Sequence, residues 1–375
     1  MPISGIAITA AEEEAMTLDR RRLLIALGAT IMTSTVQHAA AEGAFDQRLS
    51  ELERSGRVFG LHALTVTRGG RMVFEHYGAG VDESWGRPLG QVTFDRTVLH
   101  DLRSVSKGVV SWLYGIALAQ GKAPAPETTL ASAFPQYADL WQQPGRDRLT
   151  VAHVLTMTLG MDWDELTVPY GDPRNSENAM ELAPDRIRYV LERPIIGPPG
   201  EKWSYNGGAT TLLGRLIAQG TGEKLHAFAR RVLFDPMDFG PSEWAVSTDG
   251  HEIAASGLRL LPRDMSKIGQ LVLTGGVWNS KPVVPADWVK TATSTMVRMA
   301  DRGYGYHWYT GAFQDQAPPP LPWIAGIGWG GQRLYVVPKL DLVVGINCGN
   351  YRRPGSEQSA VGIAIVTEVV LRAFG

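Results

Sequence analysis

The chain has 375 residues, of which 44% are hydrophobic and 20% are charged, so it can bury a sizeable core and is not a disordered chain. Its 36 basic residues nearly balance its 38 acidic ones, and a formal net charge of -2 supplies no overall field for binding nucleic acid or an anionic membrane. The single cysteine, Cys348, excludes an intramolecular disulfide, a cysteine zinc cluster and a C-x-x-C redox pair.

Residues 1–41 are expected to form an N-terminal extension with an export signal. Asp19-Arg20-Arg21-Arg22 precedes an uncharged stretch from Leu23 to about Gln37, and Ala39-Ala40-Ala41 supplies the small residues that a signal peptidase accepts. The paired arginines before Leu-Leu also resemble a twin-arginine signal, although Asp19 stands where that pattern prefers Ser or Thr. We therefore expect a periplasmic or secreted protein.

Two features of this extension leave alternatives open. An N-terminal membrane anchor is one of them, but the apolar run of about 14 residues is shorter than the roughly 20 that a span needs. Met16 is an alternative start, because the acidic residues 12–14 are unusual at the beginning of a signal peptide. We expect cleavage, and no stable membrane insertion after it.

After the extension, β-rich runs from Leu61 to Thr67 and from Arg71 to Tyr77 flank Arg68-Gly69-Gly70, which predicts a hairpin. From Ser104 to about Gln120, apolar residues recur at helical spacing and predict a mostly buried helix. The middle of the chain is rich in Pro and Trp and looks α-rich. Its helical stretches are Val151 to Met157, Pro184 to Glu192 and Thr210 to Gln219.

The last third returns to β character after a helix from Pro262 to Leu273. Its predicted strands and closing helix are Tyr304 to Tyr309, Gln332 to Val337, Leu340 to Asn347 and the helix Glu357 to Phe374. We expect strands from both chain ends to share one antiparallel sheet flanked by helices, in an α/β (α+β) fold. The predicted lobes are 42–123 plus 251–375 for the α/β lobe, and 124–250 for an inserted α-rich lobe.

Ser104 and Lys107 lie three residues apart at the predicted start of a helix, which places both side chains on one face. A lysine desolvated by apolar neighbours has a lowered pKa and can accept the serine proton, while the helix N-terminus favours the developing anion. The spacing alone is also typical of an N-capped surface turn. Ser104 is therefore the candidate nucleophile, and Lys107 the candidate base.

A second candidate group is Tyr205, in the Gly-punctuated segment Pro198 to Gly208 before a helix. A neighbouring lysine favours the phenolate form, which would make Tyr205 a second proton shuttle, although an isolated tyrosine is more often a core residue. Tyr170, in the loop Pro169-Tyr170-Gly171, is a candidate for lining the same cleft.

The third element is Gly326-Ile327-Gly328-Trp329-Gly330-Gly331-Gln332. Its glycines match G-x-G-x-x-G, but a strand follows where a dinucleotide site needs a helix, so a dinucleotide-binding role is excluded. Small residues at a strand edge suit close approach of an acyl group, with a backbone N–H near Gln332 facing its carbonyl oxygen.

In this order, Ser104-x-x-Lys107, Tyr205 and Trp329-Gly330-Gly331 resemble the serine β-lactamase and penicillin-binding protein superfamily. The similarity is greatest to its class C-like branch, with family VIII carboxylesterases and 6-aminohexanoate-dimer hydrolases, and covers nearly everything after the extension. The resemblance implies a β-lactamase-like fold. It also implies a serine acyl hydrolase in which Lys107 and Tyr205 share the acid and base roles and the N–H groups of Ser104 and Gln332 form the oxyanion hole.

Two departures affect the expected substrate. Class C β-lactamases have Tyr-x-Asn where this chain has Tyr205-Asn206-Gly207, and Lys-Thr-Gly where it has Trp329-Gly330-Gly331. The groups that hold a β-lactam amide and carboxylate are thus absent or displaced. We expect short esters or linear amides as substrates. The predicted substrate-binding residues are Trp329, Gly330, Gly331, Asn206 and Tyr170.

Other chemistries lack their signatures. The chain contains no H-E-x-x-H motif and no serine in G-x-S-x-G, so His76, His100 and His307 are interpreted as structural. No metal and no cofactor is assigned, and a monomer or weak dimer is expected. The alternatives are a β-lactamase or D-Ala-D-Ala peptidase, and, from another class, a non-hydrolytic peptidoglycan-binding or sensing protein that keeps the fold without turnover.

Overall fold

The computed structural model describes residues 43–314 and 319–374. The expected export signal in residues 1–41 lies outside these residues and stays a prediction. In the described part of the chain, no helix combines the length and the apolarity needed to span a bilayer.

The structure contains one large antiparallel sheet and three small ones. The strands are β1 (Leu61–Arg68), β2 (Arg71–Tyr77), β3 (Ala79–Ser84), β4 (Arg87–Thr93), β5 (His100–Asp101), β6 (Glu243–Trp244), β7 (Leu258–Leu260), β8 (Val277–Trp278), β9 (Lys281–Pro282), β10 (Val297–Arg298), β11 (Gly303–Tyr304), β12 (Tyr309–Phe313), β13 (Leu321–Gly328), β14 (Gln332–Val337) and β15 (Leu342–Cys348). The large sheet has the order β10-β11-β12-β13-β14-β15-β1-β2. The first strand therefore lies beside the last one, which confirms the predicted sheet built from both chain ends.

Most helices precede β10 in the chain, and they differ widely in length. They are α1 (43–54), α2 (Ser106–Ala119), α3 (Leu130–Ala133), α4 (Ala138–Trp141), α5 (Val151–Thr156), α6 (Ser176–Leu182), α7 (Arg186–Leu191), α8 (Gly207–Thr221), α9 (Leu225–Ala229), α10 (Pro262–Leu273), α11 (Ala286–Ala292), α12 (Gly355–Ala364) and α13 (Leu371–Phe374). A stretch of π-helix, Ile365–Val370, joins α12 to α13.

The sheet separates two hydrophobic clusters. On β14, Leu334 and Val336 face the cluster that includes α2 and α8, whereas Tyr335 and Val337 face the cluster beneath α1 and the C-terminal helices. Because successive strand residues point to opposite faces, a strand in this position must be apolar on both sides. The continuous apolar run of these four residues therefore indicates a central strand.

Helix α2 is almost entirely buried and carries the candidate base, Lys107. Two of its glycines admit aromatic rings: a Cβ on Gly108 would lie 2.7 Å from Trp308, and one on Gly115 would lie 2.2 Å from Trp288. Both tryptophans can therefore pack directly against the helix backbone. This packing, together with α8 on another side, fixes α2 in the interior.

The predicted strand from Tyr304 to Tyr309 is wrong, because the chain forms two strands, β11 and β12, with a turn between them. His307 in this turn has a left-handed φ of 65°. A Cβ on Gly305 would lie 2.1 Å from the Ala292 carbonyl oxygen, so the turn packs closely against the end of α11. The break allows Trp308 to reach α2.

Candidate active site

Ser104 and Lys107 lie where a short 3-10 turn, Arg103–Val105, leads into α2. Ser104 is half-buried in this turn, and Lys107 in the first turn of α2 is only 2% exposed. The Lys107 Nζ donates to Ser104 Oγ at 3.0 Å and to the Ala255 carbonyl at 3.1 Å. The two candidates are thus in direct contact, with the amine held away from bulk water.

Tyr205 approaches the same pair from the segment that begins α8. Its side chain is 8% exposed, and Lys107 Nζ lies 4.9 Å from the centre of its ring. Burial and the nearby Glu165 carboxylate raise the pKa of Tyr205 well above its ordinary value, and an interaction with Ser104 opposes this only in part. The direction of this pKa shift favours the protonated phenol, whereas the neighbouring lysine was expected to favour the phenolate.

The strand β13 passes directly behind the Ser104 backbone. A Cβ on Gly328 would lie 3.1 Å from the Ser104 nitrogen, 2.6 Å from the Leu102 carbonyl oxygen and 3.0 Å from the Gln332 Cβ. Only glycine leaves room for this approach. The Gln332 side chain points into the sheet, where its Nε2 donates to the Cys348 carbonyl at 2.6 Å. The oxyanion role of the Gln332 N–H stays a prediction.

A cavity of about 470 Å³ opens at Ser104. Among the predicted substrate-binding residues, Tyr170 and Trp329 line it, and their rings make an edge contact with centres 5.2 Å apart. The other lining residues are Glu83, Trp85, Gly86, Arg103, Gly171, Glu177, Asn178, Ser256, Tyr351 and Arg352. A second cavity, of about 520 Å³, lies at the β10–β13 edge of the sheet, and its walls contain none of the candidate site residues.

The other predicted substrate-binding residues lie outside the lining of the 470 Å³ cavity at Ser104. Asn206 is the N-cap of α8, and its side-chain oxygen accepts from the Ala209 N–H at 2.9 Å. Gly330 and Gly331 form the turn between β13 and β14 with φ of 83° and 95°. The structure therefore gives Asn206 a capping role and the two glycines a turn role, and their contacts with a substrate stay predictions.

Two buried carboxyl groups, Glu165 and Glu177, lie beside the site, and the sequence analysis missed both. Glu165 accepts from three donors: Trp163 Nε1 at 2.9 Å, the Gly207 N–H at 2.6 Å and the Tyr170 hydroxyl at 3.1 Å. Glu177 accepts from Ser256 Oγ at 3.1 Å. An isolated acid in a loop, such as Glu165, or in a short helix, such as Glu177 in α6, has no sequence signal for burial, so only the fold identifies the pair.

Burial and the Glu165 charge raise the pKa of Glu177, whereas Lys107 acts in the opposite direction. Glu177 is joined to the site through the segment before β7. Ser256, which Glu177 accepts from, follows Ala255, whose carbonyl accepts from Lys107. Glu177 and Lys107 therefore interact electrostatically, and a change of charge at Glu177 affects Lys107.

The three histidines considered as alternative bases do not contact the nucleophile. His307 is buried, with its Nε2 3.3 Å from the Thr210 hydroxyl, and burial with the Lys107 charge lowers its pKa to about 3. His100 is buried against His62, and His76 lies half-buried on β2. Among the described residues, Ser104 Oγ is hydrogen-bonded by Lys107 and by no histidine.

Comparisons with known proteins agree with this architecture. A 6-aminohexanoate-dimer hydrolase from Paenarthrobacter ureafaciens is 24% identical over 320 residues, which are 79% of this chain and 74% of that protein. A solved structure from Bacillus anthracis, assigned as a 6-aminohexanoate-dimer hydrolase, has a TM-score of 0.66 at 19% identity, over 83% of this chain and 79% of its own. EstCE1, a hydrolase with promiscuous acyltransferase activity, has a TM-score of 0.66 at 15% identity, over 86% of this chain and 100% of its own.

The sequence pattern of the beta-lactamase family matches residues 45–360, which covers both chain ends of the sheet and all the helices between them. The match includes Ser104, Lys107, Tyr205 and the turn at Trp329, together with the cavity that they surround. The chain therefore belongs to the beta-lactamase family and has the fold of its hydrolases.

Proposed function

We propose that this protein is a serine hydrolase that cleaves short esters or linear amides through an acyl-enzyme on Ser104. The observation that carries the proposal is the 3.0 Å hydrogen bond from Lys107 Nζ to Ser104 Oγ, at the wall of a 470 Å³ cavity. A buried amine in contact with a half-buried hydroxyl is the arrangement that a lysine-activated nucleophile requires.

In the first step, Ser104 Oγ attacks the substrate carbonyl while the deprotonated form of Lys107 takes the hydroxyl proton. The negative charge on the carbonyl oxygen is stabilised by backbone N–H groups, for which we assign Ser104 and Gln332. When the intermediate collapses, the bond to the alcohol or amine breaks, and the leaving group takes a proton. Water then attacks the acyl-enzyme, with Lys107 accepting its proton; the bond from the acyl carbon to Ser104 Oγ breaks, and Lys107 returns the proton to Oγ as the acid is released.

Tyr205 supplies the acid in this scheme. Its raised pKa keeps the phenol protonated, so it can donate to the departing oxygen or nitrogen. The Lys107 Nζ lies 4.9 Å from the centre of the Tyr205 ring, and we assign Lys107 as the group that returns the proton to Tyr205. Lys107 is thus assigned the base role, and Tyr205 the acid role.

The substrate class follows from the groups at the cavity. Trp329 stands where class C β-lactamases carry a lysine for the lactam carboxylate, and Gly207 stands where they carry an asparagine for the side-chain amide. Losing the charged lysine contact costs roughly 1.5 to 3 kcal/mol and losing the neutral asparagine contact roughly 0.5 to 1.5 kcal/mol, so the two losses together predict at least about a 30-fold handicap on β-lactams. A short ester needs neither contact. The names of the relatives, which include a 6-aminohexanoate-dimer hydrolase and a hydrolase with promiscuous acyltransferase activity, are consistent with this preference.

The test is one hydrolysis panel on a single preparation, with short p-nitrophenyl esters, 6-aminohexanoate dimer, nitrocefin and D-Ala-D-Ala peptides. We expect activity on acetyl to hexanoyl esters and slow or absent turnover of nitrocefin. A higher kcat/KM for nitrocefin than for every short ester would make the protein a β-lactamase instead. Failure of a fluorophosphonate probe to label the chain would favour the non-hydrolytic alternative. We also propose export to the periplasm or medium, which N-terminal sequencing of the mature protein tests.

A further inference from the structure

A cluster of three buried side chains, His62, Asp82 and His100, lies outside the catalytic machinery. They come from β1, β3 and β5, and one ligand atom of each lies within 4.8 Å of the other two. None of the three lines the cavity at Ser104. Two imidazoles and a carboxylate are a donor set that zinc and related divalent cations prefer.

The hydrogen bonds of His100 orient its ring. Its Nδ1 lies 3.0 Å from the Asp101 carbonyl oxygen, which can only accept, so Nδ1 carries the proton. In the neutral form of such a ring, Nε2 carries the lone pair that can bind a metal ion. That Nε2 lies 2.9 Å from His62 Nδ1 and 3.8 Å from Asp82 Oδ1. Fixing one imidazole nitrogen with a backbone carbonyl is the usual outer contact of a metal-bound histidine.

The two carboxylate oxygens of Asp82 have different partners, as the two ring nitrogens of His100 do. Its Oδ2 lies 3.3 Å from the Arg259 guanidinium, whereas its Oδ1 faces His100 Nε2. The Tyr351 hydroxyl lies 3.4 Å from the same Oδ1. Because Arg259 pairs with Oδ2, Oδ1 is the oxygen that faces the two histidines and can bind a metal ion. The positive charge of Arg259 also repels such an ion and so lowers the affinity of the site for it. Tyr351 is the polar group placed to complete a fourth position, directly or through a water.

Phe94, Gly80 and Gly349 surround the His62 ring and restrict its orientation. Phe94 stacks on the ring with centres 4.3 Å apart. A Cβ on Gly80 would lie 2.3 Å from His62 Nε2, and one on Gly349 would lie 2.4 Å from its Cε1. Only glycine at both positions admits an imidazole here. The ring is therefore held in place by the fold, which reduces the cost of organising a ligand site.

We propose that His62, Asp82 and His100 bind one Zn²⁺ ion, as a structural site that the sequence analysis did not assign. Bonds of about 2.0–2.1 Å to both imidazoles require their nitrogens to separate by a few tenths of an ångström from 2.9 Å. The ion joins three strands, of which β5 leads directly into the turn that carries Ser104. Its role is to stabilise the fold behind the nucleophile, and no step of the hydrolysis passes through it.

The competing description is a hydrogen-bonded triad without metal, in which His62 Nδ1–H donates to His100 Nε2. The experiment measures zinc content by mass spectrometry after the full-length protein is loaded with Zn²⁺ and dialysed, and thermal unfolding with Zn²⁺ and with a chelator. His100→Asn keeps a donor for the Asp101 carbonyl but removes the ligand, and His62→Gln removes the second imidazole. His76→Gln, on the adjacent strand β2 and outside the cluster, is the matched control.

We expect one zinc per chain and a higher Tm with Zn²⁺ in wild type and His76→Gln, and at least about a tenfold lower affinity in the two ligand variants. Folded wild type that retains no zinc and shows no Tm shift would overturn the proposal in favour of the hydrogen-bonded triad. Equal zinc content in His62→Gln or His100→Asn would overturn it as well. If both variants fail to fold, X-ray absorption of zinc-loaded wild type decides: two imidazoles with a carboxylate support the site, and any other ligand set overturns it.

Discussion

The Lys107 ammonium group donates one hydrogen bond to Ser104 Oγ, at 3.0 Å, and another to the Ala255 carbonyl, at 3.1 Å. The second bond ties the lysine to a segment far along the chain from α2, since Ala255 lies just before β7. The amine is therefore aimed at one hydroxyl, although Ser106 is next to it in sequence. This selectivity leads to the first prediction.

Ser104→Ala should abolish covalent labelling by a fluorophosphonate probe and reduce esterase activity to background, because no other serine hydroxyl contacts Lys107 among the described residues. The matched control is Ser106→Ala. Ser106 is fully buried and its hydroxyl has no hydrogen-bond partner within residues 43–314 and 319–374, so we expect near-normal activity and labelling. Peptide mapping by mass spectrometry locates the label, and a label on Ser106 or Ser111 would contradict the assignment.

Lys107→Arg should lower kcat by at least about 100-fold, because a guanidinium keeps its proton and cannot act as a base. The substitution retains the positive charge, so loss of charge does not explain a fall in rate. Lys202→Arg, at an exposed position in the loop before Tyr205, controls for the chemistry of the substitution and should leave kcat unchanged. Near-normal turnover of Lys107→Arg on short esters would leave Lys107 a structural residue.

Tyr205→Phe should lower kcat by about 100-fold with little change in KM, since it removes the proposed acid and keeps the buried ring. Tyr137→Phe, which removes a hydroxyl bonded to Asp185 at the surface, should have no effect. Because the pKa of Tyr205 is raised well above 10, wild type should show no loss of activity from Tyr205 ionisation up to pH 10. An alkaline limb below pH 10 that disappears in Tyr205→Phe would contradict this.

Glu177→Gln should stabilise the fold at alkaline pH. The folded-state pKa of Glu177 is raised, so the folded protein holds a proton that the unfolded chain releases near pH 4.5, and stability falls as pH rises through the folded-state pKa. Glutamine cannot ionise, and the difference in unfolding free energy between variant and wild type should grow by at least about 1 kcal/mol from pH 5 to pH 9. Urea unfolding at the two pH values measures it.

The control for this prediction is Glu201→Gln, at an exposed glutamate, for which we expect no pH-dependent difference from wild type. A difference for Glu177→Gln that stays constant between the two pH values would mean that Glu177 is ionised in the folded protein. In that case Lys107 would compensate its charge more strongly than burial opposes it.

Local patterns in the sequence determined much of the fold and the centre of the site. The alternation and apolarity of 61–77 and 332–347 predicted the strands that meet in the sheet, because burial on a strand face requires that period. The spacing of Ser104 and Lys107 predicted their contact, because three residues span less than one helical turn. The order of Ser104, Tyr205 and Trp329 added the family resemblance, and with it the expected fold.

Only the tertiary structure decided the properties that depend on distant segments. It brought Glu165, Glu177 and Ser256 to the site, turned the Asn206 side chain into a helix cap, and split the predicted strand at His307. It also buried Tyr205 beside the Glu165 carboxylate, and both raise the pKa of the phenol, opposite to the shift expected from the neighbouring lysine. The zinc proposal depends on the same kind of information, since His62, Asp82 and His100 meet only when three strands pack. Burial and long-range contact are set by the whole fold, and no local spacing encodes them.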